Sequence, residues 1–182
     1  MAKKIVILNG SPRPRGNTAA LIEAFTKGAE QAGNGVVRFD VCKMNIHPCL
    51  GCCGGGKNPE SPCVQKDDVE RFRKQILAAD MLVFVTPLYY YGMSAQLKTL
   101  IDRFCAFNTS IQGRHMASAI LAAAWNSDEW TFEALEAHYR TLARYLNLRD
   151  MGAVWGRGCG SPSMTKHSPY TQRAYELGNR LK

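Results

Sequence analysis

Apolar residues in this chain gather into short unbroken runs, separated by stretches whose apolar positions recur at helical spacing. Ile5-Val6-Ile7-Leu8, Met81-Leu82-Val83-Phe84-Val85 and the run from Met116 to Ala124 have almost no polar interruption. Runs of this length read as strands covered on both faces. Val36 to Cys42 alternates instead, which predicts a strand nearer an edge, and a fifth strand is expected at Asp150 to Gly156. Helices are predicted over about 17–32, from Asp67-Asp68 to about 79, 95–104, 128–146 and 169–181. The stops and starts support these bounds: Gly33-Asn34-Gly35 ends the first helix, Ser94 caps the third and Pro169 opens the last.

Five strands, each followed by a helix, predict one α/β domain over 1–182, with a parallel sheet and helices on both faces. Such a sheet takes its ligand at the carboxyl ends of the strands, so the loops after the first, third and fourth strands should meet there.

The loop after the first strand reads Asn9-Gly10-Ser11-Pro12-Arg13-Pro14-Arg15-Gly16-Asn17-Thr18. Free N–H groups and the positive dipole end of the following helix favour an anion at this position. Ser11, Thr18, Asn17 and Arg13 can add donors. The loop lacks both G-x-x-x-x-G-K-[ST] and G-x-G-x-x-G, which speaks against a triphosphate or a dinucleotide. It has no cysteine nucleophile, so it suits holding a phosphate monoester rather than cleaving one. The competing reading is an ordinary Gly/Pro/Ser surface turn.

The loop after the third strand, Thr86-Pro87-Leu88-Tyr89-Tyr90-Tyr91-Gly92-Met93-Ser94, carries three successive tyrosines that cannot all point into a core. Aromatic rings beside a phosphate loop suggest a flat ligand ring, and Gly92 lets backbone approach it. A subunit-contact patch is the alternative.

Charge and cysteine content narrow the picture. Lys and Arg number 23 against 15 Asp and Glu, a net +8 that attracts phosphorylated ligands. The basic residues are scattered without a run of five, which disfavours nucleic acid. No apolar run reaches the roughly 20 residues of a membrane span. The N-terminal run is too short for a signal peptide, so the cytoplasm is the expected location. Seven cysteines, an odd count, argue against a disulfide framework in that compartment.

Gly10-Ser11-Pro12-Arg13, Gly16-Asn17-Thr18, the stretch from Pro87 to Lys98 and Ile101-Asp102-Arg103 together resemble the flavodoxin-like NAD(P)H-dependent FMN reductases, in the branch that includes the iron–sulfur flavoproteins. The resemblance implies a three-layer flavodoxin-like sandwich with strand order 2-1-3-4-5. It implies bound FMN, with NAD(P)H as electron donor. Ser11, Arg13, Gly16, Asn17 and Thr18 would serve the phosphate. Pro87, Leu88, Tyr89, Tyr90 and Gly92 would lie along the isoalloxazine, with Tyr91 touching the ring or a partner subunit. Trp125, in the loop after the fourth strand, is either a wall at the ring's other edge or core packing. The expected activity passes electrons from NAD(P)H through FMN to a quinone, nitroaromatic, flavin or similar small-molecule acceptor. An FMN electron carrier or iron–sulfur flavoprotein without turnover is the alternative. A homodimer or homotetramer is implied. No side chain is assigned as a catalytic acid or base, because the cofactor carries the hard chemistry.

Cys49, Cys52, Cys53 and Cys63 raise a cluster or metal site. A four-iron cluster needs about four thiolates at compact spacing. In the resembling branch the third cysteine falls where this chain has Gly55, and Cys53 directly follows Cys52. A cluster is therefore disfavoured and no metal ligand is assigned. Zinc, a redox pair such as Cys49 with Cys63, or a loop-shaping remnant stay open. Cys42, Cys105 and Cys159 are expected to be buried small apolar residues. Asp102-Arg103 are expected to serve packing or subunit contacts.

Overall fold

The computed structural model describes residues 2–58, 60 and 62–181. Five parallel strands, β1 (Lys4–Asn9), β2 (Gly35–Asp40), β3 (Met81–Pro87), β4 (Ala117–Ala123) and β5 (Arg149–Gly156), form one sheet in the order β2-β1-β3-β4-β5. This is the topology the resemblance implies. The helices are α1 (Ala19–Gln31), α2 (Val69–Leu77), α3 (Ala95–Asp102), α4 (Asn108–Gln112), α5 (Glu133–Tyr145), α6 (Pro162–Lys166) and α7 (Pro169–Asn179).

The unbroken apolar runs resolve into two faces. Val6, Leu8, Leu82, Phe84 and Ile120 pack with α2, α3 and α5 through Phe72, Leu97 and Leu135. Ile5, Ile7, Val83, Val85 and Leu121 point the other way, onto Phe25 of α1 and Leu177 of α7. Period-two alternation is present in every central strand, but both faces are greasy because both are covered. The alternating strand, β2, lies at an edge, as its pattern predicted.

Element bounds differ from the sequence reading at the ends. The third helix stops at Asp102 and tightens into a 3-10 turn over Arg103–Ala106. The fifth helix is preceded by a 3-10 turn over Glu129–Phe132. The five-residue helices α4 and α6 were not foreseen, since so short a segment shows no periodicity. Among the described residues no helix is long and apolar enough to cross a membrane.

Candidate functional site at the carboxyl edge of the sheet

Strands β1, β3 and β4 end at one edge, and their loops are fastened to one another. Gly10 donates its N–H to the Val85 carbonyl at 2.8 Å, and its own carbonyl accepts the Ser94 hydroxyl at 2.6 Å. A Cβ at Gly10 would lie 2.5 Å from Leu97 Cβ, so only glycine lets the first loop sit this close to α3. Ser94 also caps α3 through the Leu97 N–H, and the Thr86 hydroxyl accepts the Ser94 N–H at 2.8 Å. Leu88 reaches across to β4, donating to the Ala123 carbonyl. The expected meeting of the three loops is thus a covalently distant but hydrogen-bonded frame.

The first loop holds its own shape. Ser11 Oγ accepts from the Arg13 N–H at 3.2 Å and donates to the Arg13 carbonyl at 3.0 Å, and Gly16 N–H donates to that same carbonyl at 2.7 Å. Asn9 is fully buried beneath it, accepting from the Ser11 N–H and donating to Asp40. Burial would raise the Asp40 carboxyl's pKa. Hydrogen bonds from Asn9 and Arg38 and the charges of Arg38 and Lys43 outweigh burial and hold it below the usual range. Arg13 and Arg15 are exposed at the rim.

Thr18 occupies the N-cap of α1, yet its hydroxyl makes no cap bond. That hydroxyl is buried and has no partner in the protein. An unpaired buried hydroxyl costs roughly 1–3 kcal/mol, at a helix end whose first N–H groups also seek an acceptor. A phosphate oxygen would satisfy both, so the donor set fits a phosphate monoester. Asn17 is placed differently from the simple donor envisaged: its side-chain NH2 donates to the Cys159 carbonyl at 2.7 Å, tying the first loop to the loop after β5.

The tyrosine loop is a two-residue hairpin. Tyr89 and Gly92 exchange backbone bonds at 3.1 and 3.0 Å, and Tyr90 and Tyr91 between them both have positive φ, 46° and 63°. A turn of this kind ordinarily takes Asn-Gly. Here the backbone strain thrusts Tyr90 wholly into solvent, while the Tyr91 ring packs on Trp130 with centroids 5.0 Å apart. Leu88, Tyr90, Tyr91, Ala124, Trp125 and Asn126 line an open cleft of about 280 Å³. Trp125 is 78% exposed, so it is a wall of this cleft and not core packing. Its ring lies against Gly160, where an added Cβ would fall 2.5 Å from the indole. The loop after β5 therefore touches both halves of the site, through Cys159 and Gly160. Sequence reading gave it no role, and its only signal was Gly158 and Gly160 flanking a cysteine. Pro87 ends β3 in the core, Gly16 is buried in the first loop and Gly92 closes the hairpin.

The cysteine segment is anchored by a buried ion pair. Arg103 and Asp67, each 1% exposed, pair at 2.6 Å. Arg103 also donates to the His47 carbonyl at 2.8 Å and to Cys63 Sγ at 3.1 Å. Arg103 thus clamps both ends of the segment to the turn after α3, which makes its expected packing role specific. Cys159 is buried as expected, but Cys105 is exposed, contrary to expectation, and Cys42 is half-buried. The 3-10 turn is the reason: with three residues per turn, Phe104 follows Ile101 inward and Cys105 rotates outward. Among the described residues no three His, Cys, Asp or Glu side chains converge to hold a metal ion. A side chain at Gly55 would meet Ala106 Cα at 2.9 Å. The position where the resembling branch has its third cysteine thus has no room for a side chain, and a cluster ligated through that position does not fit.

Comparison with known proteins agrees with this architecture. An iron–sulfur flavoprotein of Archaeoglobus fulgidus is 30% identical over 128 residues, 69% of this chain and 57% of that protein. Iron–sulfur flavoprotein MJ1083 of Methanocaldococcus jannaschii is 31% identical over 121 residues, 65% of this chain and 61% of its own length. The matched part of this chain thus spans about three-fifths of these relatives. Among solved structures, an NAD(P)H:quinone oxidoreductase from Methanothermobacter marburgensis superposes with a TM-score of 0.79 over 100% of this chain and 97% of its own, at 20% identity, which establishes the shared fold. The family model described as NADPH-dependent FMN reductase matches residues 3–158. With the phosphate-fitting loop, the aromatic cleft and the strand order in place, the chain belongs to the NADPH-dependent FMN reductase family.

Proposed function

We propose that this chain binds FMN at the carboxyl edge of the sheet and acts as an NAD(P)H-dependent oxidoreductase that delivers electrons to a small-molecule acceptor of the quinone, nitroaromatic or flavin class. The observation that carries this reading is the buried, unpartnered Thr18 hydroxyl at the start of α1, in a loop fastened to the open aromatic cleft. FMN, when bound, supplies hydride acceptance and electron transfer.

The side chains do the positioning. Thr18 and the first-turn N–H groups hold the phosphate, Arg13 at the rim adds charge, and Ser11 and Gly16 keep the loop in shape. Asn17 fixes the loop against Cys159. In this reading Leu88 and Tyr90 border the flat ring on one side and Trp125 on another, Pro87, Tyr89 and Gly92 set the shape of that loop, and Tyr91 braces on Trp130. In this reading the cleft residues Leu88, Tyr90, Tyr91, Ala124, Trp125 and Asn126 bind and orient the cofactor, which carries the chemistry. The exposed Tyr90, Trp125 and Trp130 also suit contact with a second copy, and a homodimer or homotetramer is part of the proposal.

Anaerobic titration with NADH and with NADPH tests the reading. Bleaching of the bound flavin by at least one nucleotide, followed by reoxidation with a quinone, is expected. Flavin that neither nucleotide bleaches would overturn it. A second reading, an FMN electron carrier without turnover, draws on the names of the archaeal relatives. It predicts bleaching without multiple turnovers on any small acceptor.

A further inference from the structure

Five of the seven cysteines line one cavity that shares no lining residue with the aromatic cleft. A cavity of about 510 Å³ is lined by Cys49, Cys52, Cys53, Cys63 and Cys105, with Arg103 in its wall. Four of these thiols come from the segment between β2 and α2, and the fifth from the 3-10 turn after α3. Cys49 Sγ and Cys105 Sγ lie 3.6 Å apart, and both residues are exposed. We propose that Cys49 and Cys105 form a reversible disulfide in response to hydroperoxides, cross-linking the cysteine segment to the turn that follows α3.

The geometry selects this pair. A disulfide brings its sulfurs to about 2.05 Å, so the two thiols need close by only roughly 1.5 Å. Side-chain rotation can supply that without unfolding the segment. The segment itself is held at both ends, because Arg103 binds the His47 carbonyl and Asp67 while sitting two residues from Cys105. Cys63 points its sulfur at the Arg103 guanidinium, and Cys53 points its own at the Gly51 carbonyl. Cys52 and Cys53 are adjacent and poorly placed to pair with each other. A bond between Cys49 and Cys105 would add a covalent tie between two elements that Arg103 already holds by hydrogen bonds.

The two sulfurs take different parts. Burial, and the neighbouring Cys49, push the Cys105 thiol up to about 11, so Cys105 keeps its proton within the pair. Cys49 is then the attacking sulfur. As thiolate it displaces on the peroxide O–O bond, forming a sulfenic acid. The departing oxygen takes up the proton that the Cys49 thiol released. Cys105 sulfur then attacks the sulfenic sulfur; the S–S bond forms, the S–O bond breaks, and the leaving hydroxide takes the Cys105 proton as water. Two thiols give up two electrons and two protons, and the hydroperoxide is reduced to two hydroxyl products. A small dithiol reverses the step by exchange. The bond would pin the exposed tip of the segment, Leu50 to Cys53, over the cavity.

Peptide mapping of the full chain tests this. Protein purified and reduced under argon is desalted, exposed to equimolar hydrogen peroxide, then alkylated and digested with trypsin. Two fewer alkylatable thiols are expected, with a linked pair of peptides, 44–57 and 104–114, whose tandem spectra place the bond on Cys49 and Cys105. Dithiothreitol should restore both thiols. In Cys105→Ser, dimedone should trap a sulfenic acid on Cys49, and Cys49→Ser should lose the fast reaction with peroxide. An unchanged thiol count, a bond from Cys49 to Cys52 or Cys63, or iron or zinc in the argon-purified protein that shields Cys49 and Cys105 from alkylation would each overturn the proposal.

Discussion

Tyr90 lets the strain at the candidate site be measured separately from its use. Its φ of 46° lies in the left-handed region, which costs an ordinary L-residue roughly 1–2 kcal/mol. Its ring is fully exposed, so it recovers none of that cost by burial within the protomer. Asparagine tolerates this backbone and is favoured at the first central position of such a two-residue turn. Unlike glycine, it adds little freedom to the unfolded chain. Tyr90→Asn should therefore stabilise the flavin-free protein by about 1 kcal/mol, a rise of roughly 2–4 °C in midpoint for a chain of this size. If the ring borders the isoalloxazine, the same change should weaken FMN binding by about 0.5–1.5 kcal/mol, the worth of an aromatic pair, or up to about tenfold. Urea unfolding followed by circular dichroism reads the first quantity, and quenching of FMN fluorescence reads the second. Unfolding should be repeated at two protein concentrations, because a dimer that buries Tyr90 would make the gain concentration-dependent. A flavin-free variant less stable than the parent at both concentrations would refute the strain argument. Unchanged FMN affinity would remove Tyr90 from the ring's surroundings.

Two further substitutions probe the phosphate loop and the clamp. Thr18→Val keeps the shape and removes a hydroxyl that has no protein partner, so flavin-free stability should hold or rise. A hydrogen bond to a charged group is worth roughly 1.5–3 kcal/mol, so FMN affinity should fall by about ten- to a hundredfold while riboflavin, which lacks the phosphate, binds as before; an equal loss for both ligands would place the phosphate elsewhere. At Asp67, burial raises the pKa, but hydrogen bonds from Arg103, His47 and Val69 and the Arg103 charge outweigh it and leave the carboxyl below its usual range. A lowered folded pKa gives stability that is complete above the unfolded value of about 3.9 and is lost as pH falls through the folded value. Asp67→Asn should destabilise at pH 7 by about 3–5 kcal/mol, because it strands a buried arginine, and should show a shallower stability loss on acidification below pH 4; acid slopes equal to the parent's would sink the assignment.

The strands and the two candidate loops were legible because each depends on local pattern, unbroken apolar runs punctuated by Gly, Pro and Ser at the carboxyl ends, and the strand order came with the resemblance. What escaped the sequence depends on contacts between distant residues or on a change of helical period. Arg103 reads as a packing or contact residue, but its partner is hidden until Asp67, 36 residues earlier, is seen beside it. Cys105 sits in an apolar context, Phe104-Cys105-Ala106-Phe107, and an unbroken α-helix would turn it toward the side of Ile101. The shift to a 3-10 turn reverses its direction and sets it against Cys49. Tyr90-Tyr91 gives no turn signal, since the hairpin it forms prefers other residues and stands only because its flanks exchange two backbone bonds. The loop after β5 contributes through a carbonyl and a glycine, groups that carry no side-chain signature. These misses share a cause. At each, a local preference is overridden by a tertiary contact, and the overridden positions cluster at the candidate cleft and around the thiol cavity. In this fold the conflicts between sequence and structure thus mark the cleft and the thiol cavity more sharply than the agreements do.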